Sequence, residues 1–282
     1  MPRSVWYPGH MAKGKRVIHE IISKLDIVVE VRDSRAPAST SSPLIKSIAK
    51  IKPVIHVLSH KDLADSEKLN LWLKELKFTY PADLRNKSGI SLIRAALMKF
   101  RPEHRELRLA VVGIPNVGKS LLLNALINKS SAVVGNLPGV TKSVSFYRNS
   151  GMLIVDSPGI LDPHAEKGAH LVLSWLGCAK AEVVGGFENA ALMLIKFLTL
   201  KKLYELLPVE YINDELPELT LERIGKKTGC LISGGRVNTE LAGRKFIEAF
   251  SSGRLGPVCL ELPGEEAAIK FGEHEEAIDV VQ

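Results

Sequence analysis

Apolar residues in the first 160 positions of the chain fall into short runs, which are separated by polar turns and by segments of helical periodicity. Four of these runs have the length and composition of buried strands, at residues 25–35, 51–65, 105–112 and 151–156. A helical segment, PLIKSIAKIK, lies between the first two runs, and the third leads through a glycine-rich turn into the apolar-periodic segment SLLLNALIN. Strands that alternate with helices predict an α/β fold, with a mostly parallel sheet and helices on both faces.

The pattern changes near His170, after which apolar residues repeat at helical spacing. Two such stripes consist of Ala191, Leu194, Ile195 and Leu198, and of Phe246, Ile247 and Phe250. The segment PVEYINDELPEL, with two prolines and four acidic residues, predicts a connection within this part. We therefore divide the chain into an α/β domain at 1–168, a small all-helical domain at 169–264 and an acidic tail at 265–282.

The composition is that of a folded protein, because 45% of the 282 residues are apolar and 24% are charged. No apolar run approaches the ~20 residues of a membrane span, and the amino terminus lacks the apolar core of a secretory signal. We expect a cytoplasmic protein, with an organellar matrix as the alternative. Cys178, Cys230 and Cys259 lack a metal-binding spacing, so we expect buried thiols without a disulfide or zinc.

Residues 113–120, GIPNVGKS, match the phosphate-binding pattern GxxxxGK[ST] between a predicted strand and a predicted helix, the context that this motif requires. Its glycines let the backbone amides curl around phosphate, so we expect Val117 and Gly118 to contact the nucleotide. Lys119 is expected to reach the β and γ phosphates, and the Ser120 hydroxyl to coordinate Mg²⁺. The motif predicts a site for a nucleoside triphosphate.

Two further segments predict the metal ligands of this site. Asp156 begins DSPG, which also contains Gly159, and ends an apolar strand where P-loop enzymes have the aspartate that holds Mg²⁺ through water. Thr141, in PGVT, lies between the two motifs and resembles the switch threonine that completes the metal shell in GTPases. The order and spacing of the motifs therefore assign Mg²⁺ to Ser120, Thr141 and Asp156.

The sequence after Asp156 contains nothing like a guanine-binding motif, but two candidate loops lie upstream of the phosphate motif. Their residues are Ser59, His60, Lys61 and Asp62 in the first loop, and Asn86 and Lys87 in the second. The Asp62 carboxylate can accept from the N1 and N2 hydrogens of guanine, a pairing that adenine cannot supply. Base loops that precede the phosphate loop indicate a circularly permuted GTPase.

At this point the chain resembles the circularly permuted GTPases of the ribosome biogenesis GTPase A family, which has a mitochondrial relative. The resemblance covers nearly the whole chain, and it rests on WYPGHMAK at 6–13, DSRAP at 33–37, GIPNVGKS at 113–120, PGVTKS at 138–143, DSPGI at 156–160, GCLISGG at 229–235 and GRLG at 253–256. It implies an enzyme that binds GTP and GDP, hydrolyses GTP and helps to assemble the large ribosomal subunit. The resemblance implies binding to the precursor particle in the GTP state and release on hydrolysis, and we expect a monomer away from the ribosome.

The same resemblance assigns the catalytic groups. Ile160 stands where many GTPases have a water-positioning glutamine, so His10 is the candidate for that role, together with Lys119 and Thr141. Asn116 matches the asparagine that helps to seat K⁺ in potassium-stimulated GTPases, which makes K⁺ a candidate cofactor.

The first base loop departs from the family pattern, because Ser59 and His60 stand where the family has Asn and Lys. Losing Asn removes a side chain that contacts the purine and braces the phosphate loop, and losing Lys removes an aliphatic stem that covers the ring. His60 can stack on the base instead, so we expect guanine binding to be weakened rather than lost. Asn86 and Lys87 also depart from the usual Ser and Ala.

The formal charge of +7 favours a polyanionic partner. Basic groups for rRNA phosphates are available in the helical domain at Lys226, Lys227, Arg236, Arg244, Lys245 and Arg254. Two other hypotheses are a nucleotide-independent RNA-binding scaffold with a degenerate guanine site, and a P-loop ATPase or kinase. The intact Lys119, Ser120 and Asp156 argue against the scaffold, and Asp62 with the permuted order argues against the ATPase.

Overall fold

The structure, a computed structural model, describes residues 20–127, 132–134, 146–156 and 167–265, with only the backbone described at 132–134 and 167. Within this part the chain divides into two compact units. One unit contains the described residues up to 156 together with residues 259–265, and the other contains residues 167–258. Residues 259–264, which the sequence pattern assigns to the helical domain, therefore belong to the unit of the sheet.

The sheet unit is built on seven strands in the order β3-β2-β1-β4-β7-β6-β5. The strands are β1 (Ile27–Asp33), β2 (Val54–Ser59), β3 (Thr79–Pro81), β4 (Leu107–Val112), β5 (Ala132–Val134), β6 (Phe146–Asn149) and β7 (Met152–Asp156). β3, β2, β1, β4 and β7 are parallel, whereas β6 runs antiparallel to both β7 and β5. The predicted fold class, a mostly parallel sheet in an α/β unit, is confirmed.

The central strands bring polar residues to one edge of the sheet. All seven residues of β1 are buried, as expected for a strand covered on both faces. In the register, Asp33 lies opposite Ser59 of β2, and Asp156 lies opposite Val111 of β4. Because the carboxyl ends of parallel strands meet at one edge, the loops that follow β1, β2 and β4 are neighbours, and Asp156 ends β7 at the same edge.

Among the described residues of the sheet unit, the α-helices are α1 (Ile45–Ile48), α2 (Ser66–Glu75), α3 (Ile90–Met98) and α4 (Lys119–Leu126). The helix expected from PLIKSIAKIK is only the single turn α1, whose Ile45 packs in a cluster with Val28 and Phe146. Asp65 caps the start of α2, where its carboxylate accepts from the backbone amides of Glu67 and Lys68.

The second unit is helical, with α5 (Lys167–Trp175), α6 (Gly186–Leu200), α7 (Pro217–Lys227) and α8 (Thr239–Ser251). Its core includes Trp175, whose ring lies 5.3 Å from that of Phe197 and whose Nε1 donates to the Ala190 carbonyl at 2.9 Å. Where the structure describes helices, none is long and apolar enough to cross a membrane. The three cysteines are buried free thiols, and burial is what the sequence predicts.

Candidate nucleotide-binding site

The phosphate loop joins the end of β4 to the start of α4, as its motif predicts. A side chain at Gly113 would bring a Cβ to 2.6 Å from the Val31 carbonyl oxygen, so only glycine allows β4 and β1 to lie this close. Gly118 precedes the first residue of α4 in a left-handed conformation, at φ 101°. A Cβ at Gly118 would meet Ser59 of the first base loop and Leu84, which precedes the second. The absence of a side chain at Gly118 therefore lets the phosphate loop lie close to both residues.

Lys119 and Ser120 occupy the first turn of α4, where the helix dipole favours an anion. Lys119 is largely buried, and its ammonium donates to the Ile114 carbonyl at 2.6 Å, which holds it over the loop. Ser120 is exposed. This arrangement suits a phosphate chain, because the helix N-terminus and the ammonium both favour negative charge.

Asp156 ends β7 next to the strand that leads into the phosphate loop. Burial raises the pKa of Asp156, and the positive charge of Lys119 opposes that shift. A partly buried carboxylate is stabilised in its ionised form by a nearby cation. The oxygens of Asp156 and Ser120 are the hard donors that Mg²⁺ prefers, so these two residues fit a magnesium ion.

Ser59 links the first base loop to the phosphate loop. Its buried hydroxyl is 2.7 Å from the Val117 carbonyl oxygen and 2.9 Å from the Arg32 carbonyl oxygen, so it donates to one of them at a time. The loops at 59–62 and 113–120 thus meet at one edge of the sheet, as the permuted order predicts. Serine also supplies the brace on the phosphate loop that the loss of asparagine was expected to remove.

His60 is fixed by a buried carboxylate. Its Nδ1 lies 3.0 Å from Asp33 Oδ2, and because an ionised carboxylate only accepts, Nδ1 carries the proton and donates. Burial alone would raise the pKa of Asp33, but the Arg35 guanidinium and the hydrogen bonds from His60 and Arg35 outweigh it and hold that pKa well below its usual range. Stacking of His60 on a base therefore has to occur with Nδ1 held at Asp33.

Lys61 and Asp62 follow in a short 3₁₀ turn, Lys61–Leu63, and both are exposed at the sheet edge. The Lys61 amide donates to the Ala82 carbonyl at 3.3 Å, which joins the first base loop to the second. In the second loop, the Asn86 side-chain amide donates to Asp83 at 2.6 Å. The exposed Lys87 adopts a left-handed conformation, at φ 58°.

Three predicted site residues, His10, Thr141 and Gly159, lie outside the described residues. Among the residues that are described, no three or more His, Cys, Asp and Glu side chains are grouped to hold a metal ion.

Sequence reasoning missed the roles of Asp33, Arg35 and Glu261 around the first base loop. The DSRAP segment at 33–37 carried a signal, because a buried strand that ends in Asp-Ser-Arg brings two charges to a sheet edge. Glu261 had no such signal, since it lies between two leucines near the acidic end of the chain.

The comparisons with known proteins agree on one family. A family model described as 50S ribosome-binding GTPase matches residues 108–203. The ribosome biogenesis GTPase A of Bacillus licheniformis is 34% identical over 281 residues, and the match covers 92% of this chain and 98% of that protein. The mitochondrial ribosome-associated GTPase 1 of Bos taurus is 30% identical, over 91% of this chain and 88% of that protein. Among solved structures, GNP-bound YlqF from T. maritima matches with a TM-score of 0.66 at 26% identity, over 90% of this chain and 99% of that one.

Proposed function

The chain belongs to the ribosome biogenesis GTPase A family, and on that premise we propose that it binds GTP, hydrolyses it to GDP and phosphate, and acts in the assembly of the large ribosomal subunit. The observation that carries the guanine-nucleotide assignment is the 2.7 Å contact between the Ser59 hydroxyl and the Val117 carbonyl. It joins a loop that carries a base-pairing carboxylate, Asp62, to a complete phosphate loop. A nucleotide-independent scaffold would have no need of this junction.

The metal and catalytic assignments are part of the same proposal. Ser120 and Asp156 would hold Mg²⁺ together with Thr141, and the ion would neutralise charge on the β and γ phosphates. His10 would position the attacking water, because Ile160 has no polar side-chain atom for this task. Asn116 is exposed in a left-handed conformation of the phosphate loop, at φ 57°, and we assign it the seat of K⁺.

The helical unit is proposed to bind rRNA. Acidic side chains concentrate in residues 203–222 of this unit, whereas basic side chains concentrate in residues 223–254. Lys226 and Arg236 in the basic part are exposed and available to phosphates. We propose that the protein meets the precursor of the large subunit through this basic part, as a monomer, in bacterial cytoplasm or in an organellar matrix.

Calorimetric titration with GDP, GTP and ADP in the presence of Mg²⁺ tests the nucleotide assignment. The parent protein is expected to bind GDP and GTP in preference to ADP. Lys119→Ala should weaken guanine-nucleotide binding roughly 100-fold, because it removes a charge-assisted contact to phosphate. Lys74→Ala, which changes an exposed lysine on α2, is the matched control and should bind as the parent does. A parent that binds no nucleotide would favour the RNA-binding scaffold instead.

A further inference from the structure

Residues 259–265, called the strap below, follow the helical unit in sequence but pack in the sheet unit. The Leu260 amide donates to the Arg35 carbonyl at 2.8 Å, and the Trp72 indole donates to the Glu261 carbonyl at 3.0 Å. Cys259 is buried in a cluster with Leu58, which lies next to Ser59 in β2. The strap is therefore held at its backbone and at its side chains, on the side of the sheet unit that carries the first base loop.

The Glu261 carboxylate makes the most specific of these contacts. One oxygen accepts from the backbone amides of Ala38 and Ser39, and the other accepts from the Ser39 hydroxyl at 2.6 Å. The side chain is only 4% exposed. A carboxylate buried to this degree is retained only where donors surround it, so the contact fixes the position of the 34–40 turn relative to the strap.

The 34–40 turn also holds Asp33, the last residue of β1. Arg35 donates to both Asp33 oxygens through its guanidinium, at 3.0 and 2.8 Å, and to one of them through its backbone amide at 2.9 Å. The Thr40 hydroxyl accepts from the Asp33 amide at 2.9 Å and lies 2.6 Å from the Ala36 carbonyl. The conformation of the turn therefore sets where the Asp33 carboxylate lies.

Asp33 contacts the first base loop through His60, so the position of its carboxylate affects that loop. The backbone of His60 is left-handed, at φ 54°, which is an uncommon conformation for a residue with a side chain. The bond from Nδ1 to Asp33 holds the His60 side chain at this turn, and Asp62 follows two residues later. A change in the strap would therefore alter the position of the Asp62 carboxylate, which is proposed to pair with guanine.

We propose that the strap is a positioning element for guanine recognition, in which Glu261 holds the 34–40 turn and this turn, through Asp33 and His60, aims Asp62 at the base. The inference rests on the proposed guanine site. Glu261 and Asp33 are positioning residues, since neither lies in the base loops or the phosphate loop. The strap should affect contacts to the base and leave the contacts of Lys119 with phosphate unchanged.

Comparison of GDP with IDP isolates the base contacts. Hypoxanthine lacks the 2-amino group of guanine, so the ratio of the two affinities measures one of the two hydrogen bonds to Asp62, while the phosphates and ribose are the same. Loss of protein stability would change both affinities by the same factor, whereas a misplaced Asp62 would weaken GDP binding more than IDP binding.

The test measures GDP and IDP dissociation constants, with Mg²⁺ present, for the parent protein and four variants, one of which is a control. Glu261→Ala should weaken GDP binding about tenfold and lower the GDP preference over IDP, because one charge-assisted bond is misaligned. Glu261→Gln, which keeps one oxygen acceptor, should restore part of the preference. Ser39→Ala removes one donor to the Glu261 carboxylate, so it should lower the preference for GDP over IDP by less than Glu261→Ala does. This variant keeps the test informative if Glu261→Ala does not fold.

Glu240→Ala is the matched control. The Glu240 carboxylate also accepts from two backbone amides, those of Phe187 and Glu188, at 2.9 and 2.8 Å, but it lies in the helical unit. It should leave the GDP to IDP ratio unchanged. An equal loss for both nucleotides, or the same loss in Glu240→Ala, would overturn the inference while the guanine site stands. A parent with no preference for GDP would overturn both the inference and the guanine assignment.

Discussion

The first base loop is held by two side chains that differ from the family pattern. Ser59 makes the link to the phosphate loop with a hydroxyl, and His60 makes the link to the buried Asp33 with a ring nitrogen. Both contacts are to backbone or carboxylate acceptors of the protein. The loop can therefore keep its position without asparagine and lysine, and under the proposed function the recognition of guanine rests on Asp62.

The Ser59 hydroxyl should matter for stability and for nucleotide binding. Ser59→Ala leaves the buried carbonyls of Val117 and Arg32 without this donor, at an expected cost of about 1–2 kcal/mol in the free energy of unfolding. GDP binding should weaken as well, because the phosphate loop loses its brace. Urea unfolding and calorimetry measure the two effects. Ser47→Ala, which removes an exposed hydroxyl bonded to the Leu44 carbonyl, is the control, and an equal effect there would contradict the role of Ser59.

Asp33 should make folding sensitive to acid. Since its pKa is lowered by folding, its ionised form stabilises the protein above the unfolded pKa, and that contribution is lost as the pH falls below about 4. Asp33→Asn should cost about 3 kcal/mol at pH 7, because it leaves the buried Arg35 charge without its partner. The gap between the variant and the parent should narrow at pH 3. Urea unfolding at both pH values tests this, and a gap that is independent of pH would contradict it.

The elements divide into those that local patterns specify and those that long-range contacts specify. β1, β2, β4 and β7 were predictable because each is a short apolar run bounded by turn residues, and α4 was predictable because the phosphate motif requires a helix after it. α1 was predicted too long, since only Ile45 and Ile48 of its stripe are buried. The strap was not predictable, because the donors that hold Glu261 lie more than 200 residues away in sequence.

The junction between the phosphate loop and α4 should depend on glycine. Gly118→Ala combines a left-handed backbone with a Cβ only 3.3 Å from that of Ser59, so both strain and crowding oppose it. We expect GDP binding to weaken more than tenfold, as calorimetry would measure. Gly234→Ala is the control, because Gly234 is also left-handed but its Cβ would meet nothing within 4 Å. Equal nucleotide affinity in the two variants would contradict the close packing at Gly118.

At the scale of the whole molecule, basic residues are spread over both units, and their excess over acidic residues is larger in the sheet unit than in the helical unit. The described residues of the candidate nucleotide site lie in the sheet unit, whereas the basic segment at 223–254 lies in the helical unit. The net charge of +7 alone predicts only a general attraction to polyanions. If the helical unit carries a local interface, binding to the large subunit depends on which basic residues are changed and not only on the net charge.

Charge-reversal variants distinguish a general attraction to polyanions from a local interface on the helical unit. Lys226→Glu with Arg236→Glu should weaken association with large ribosomal subunits and reduce its dependence on salt, because phosphate contacts are lost. Lys74→Glu with Lys77→Glu changes the net charge equally but on exposed residues of the sheet unit. Co-sedimentation over a range of salt concentrations measures both. Equal weakening by the two pairs would indicate general attraction instead of an interface on the helical unit.

The rate of GTP hydrolysis with and without purified large subunits tests whether this chain is a GTPase that acts on the large ribosomal subunit. We predict slow hydrolysis by the protein alone and a rate at least about tenfold higher with large subunits, which corresponds to a barrier lower by about 1.4 kcal/mol. Lys119→Ala should abolish both rates. A parent protein that binds GTP but hydrolyses it at the same rate with and without large subunits would show that its GTPase activity is not coupled to the large subunit.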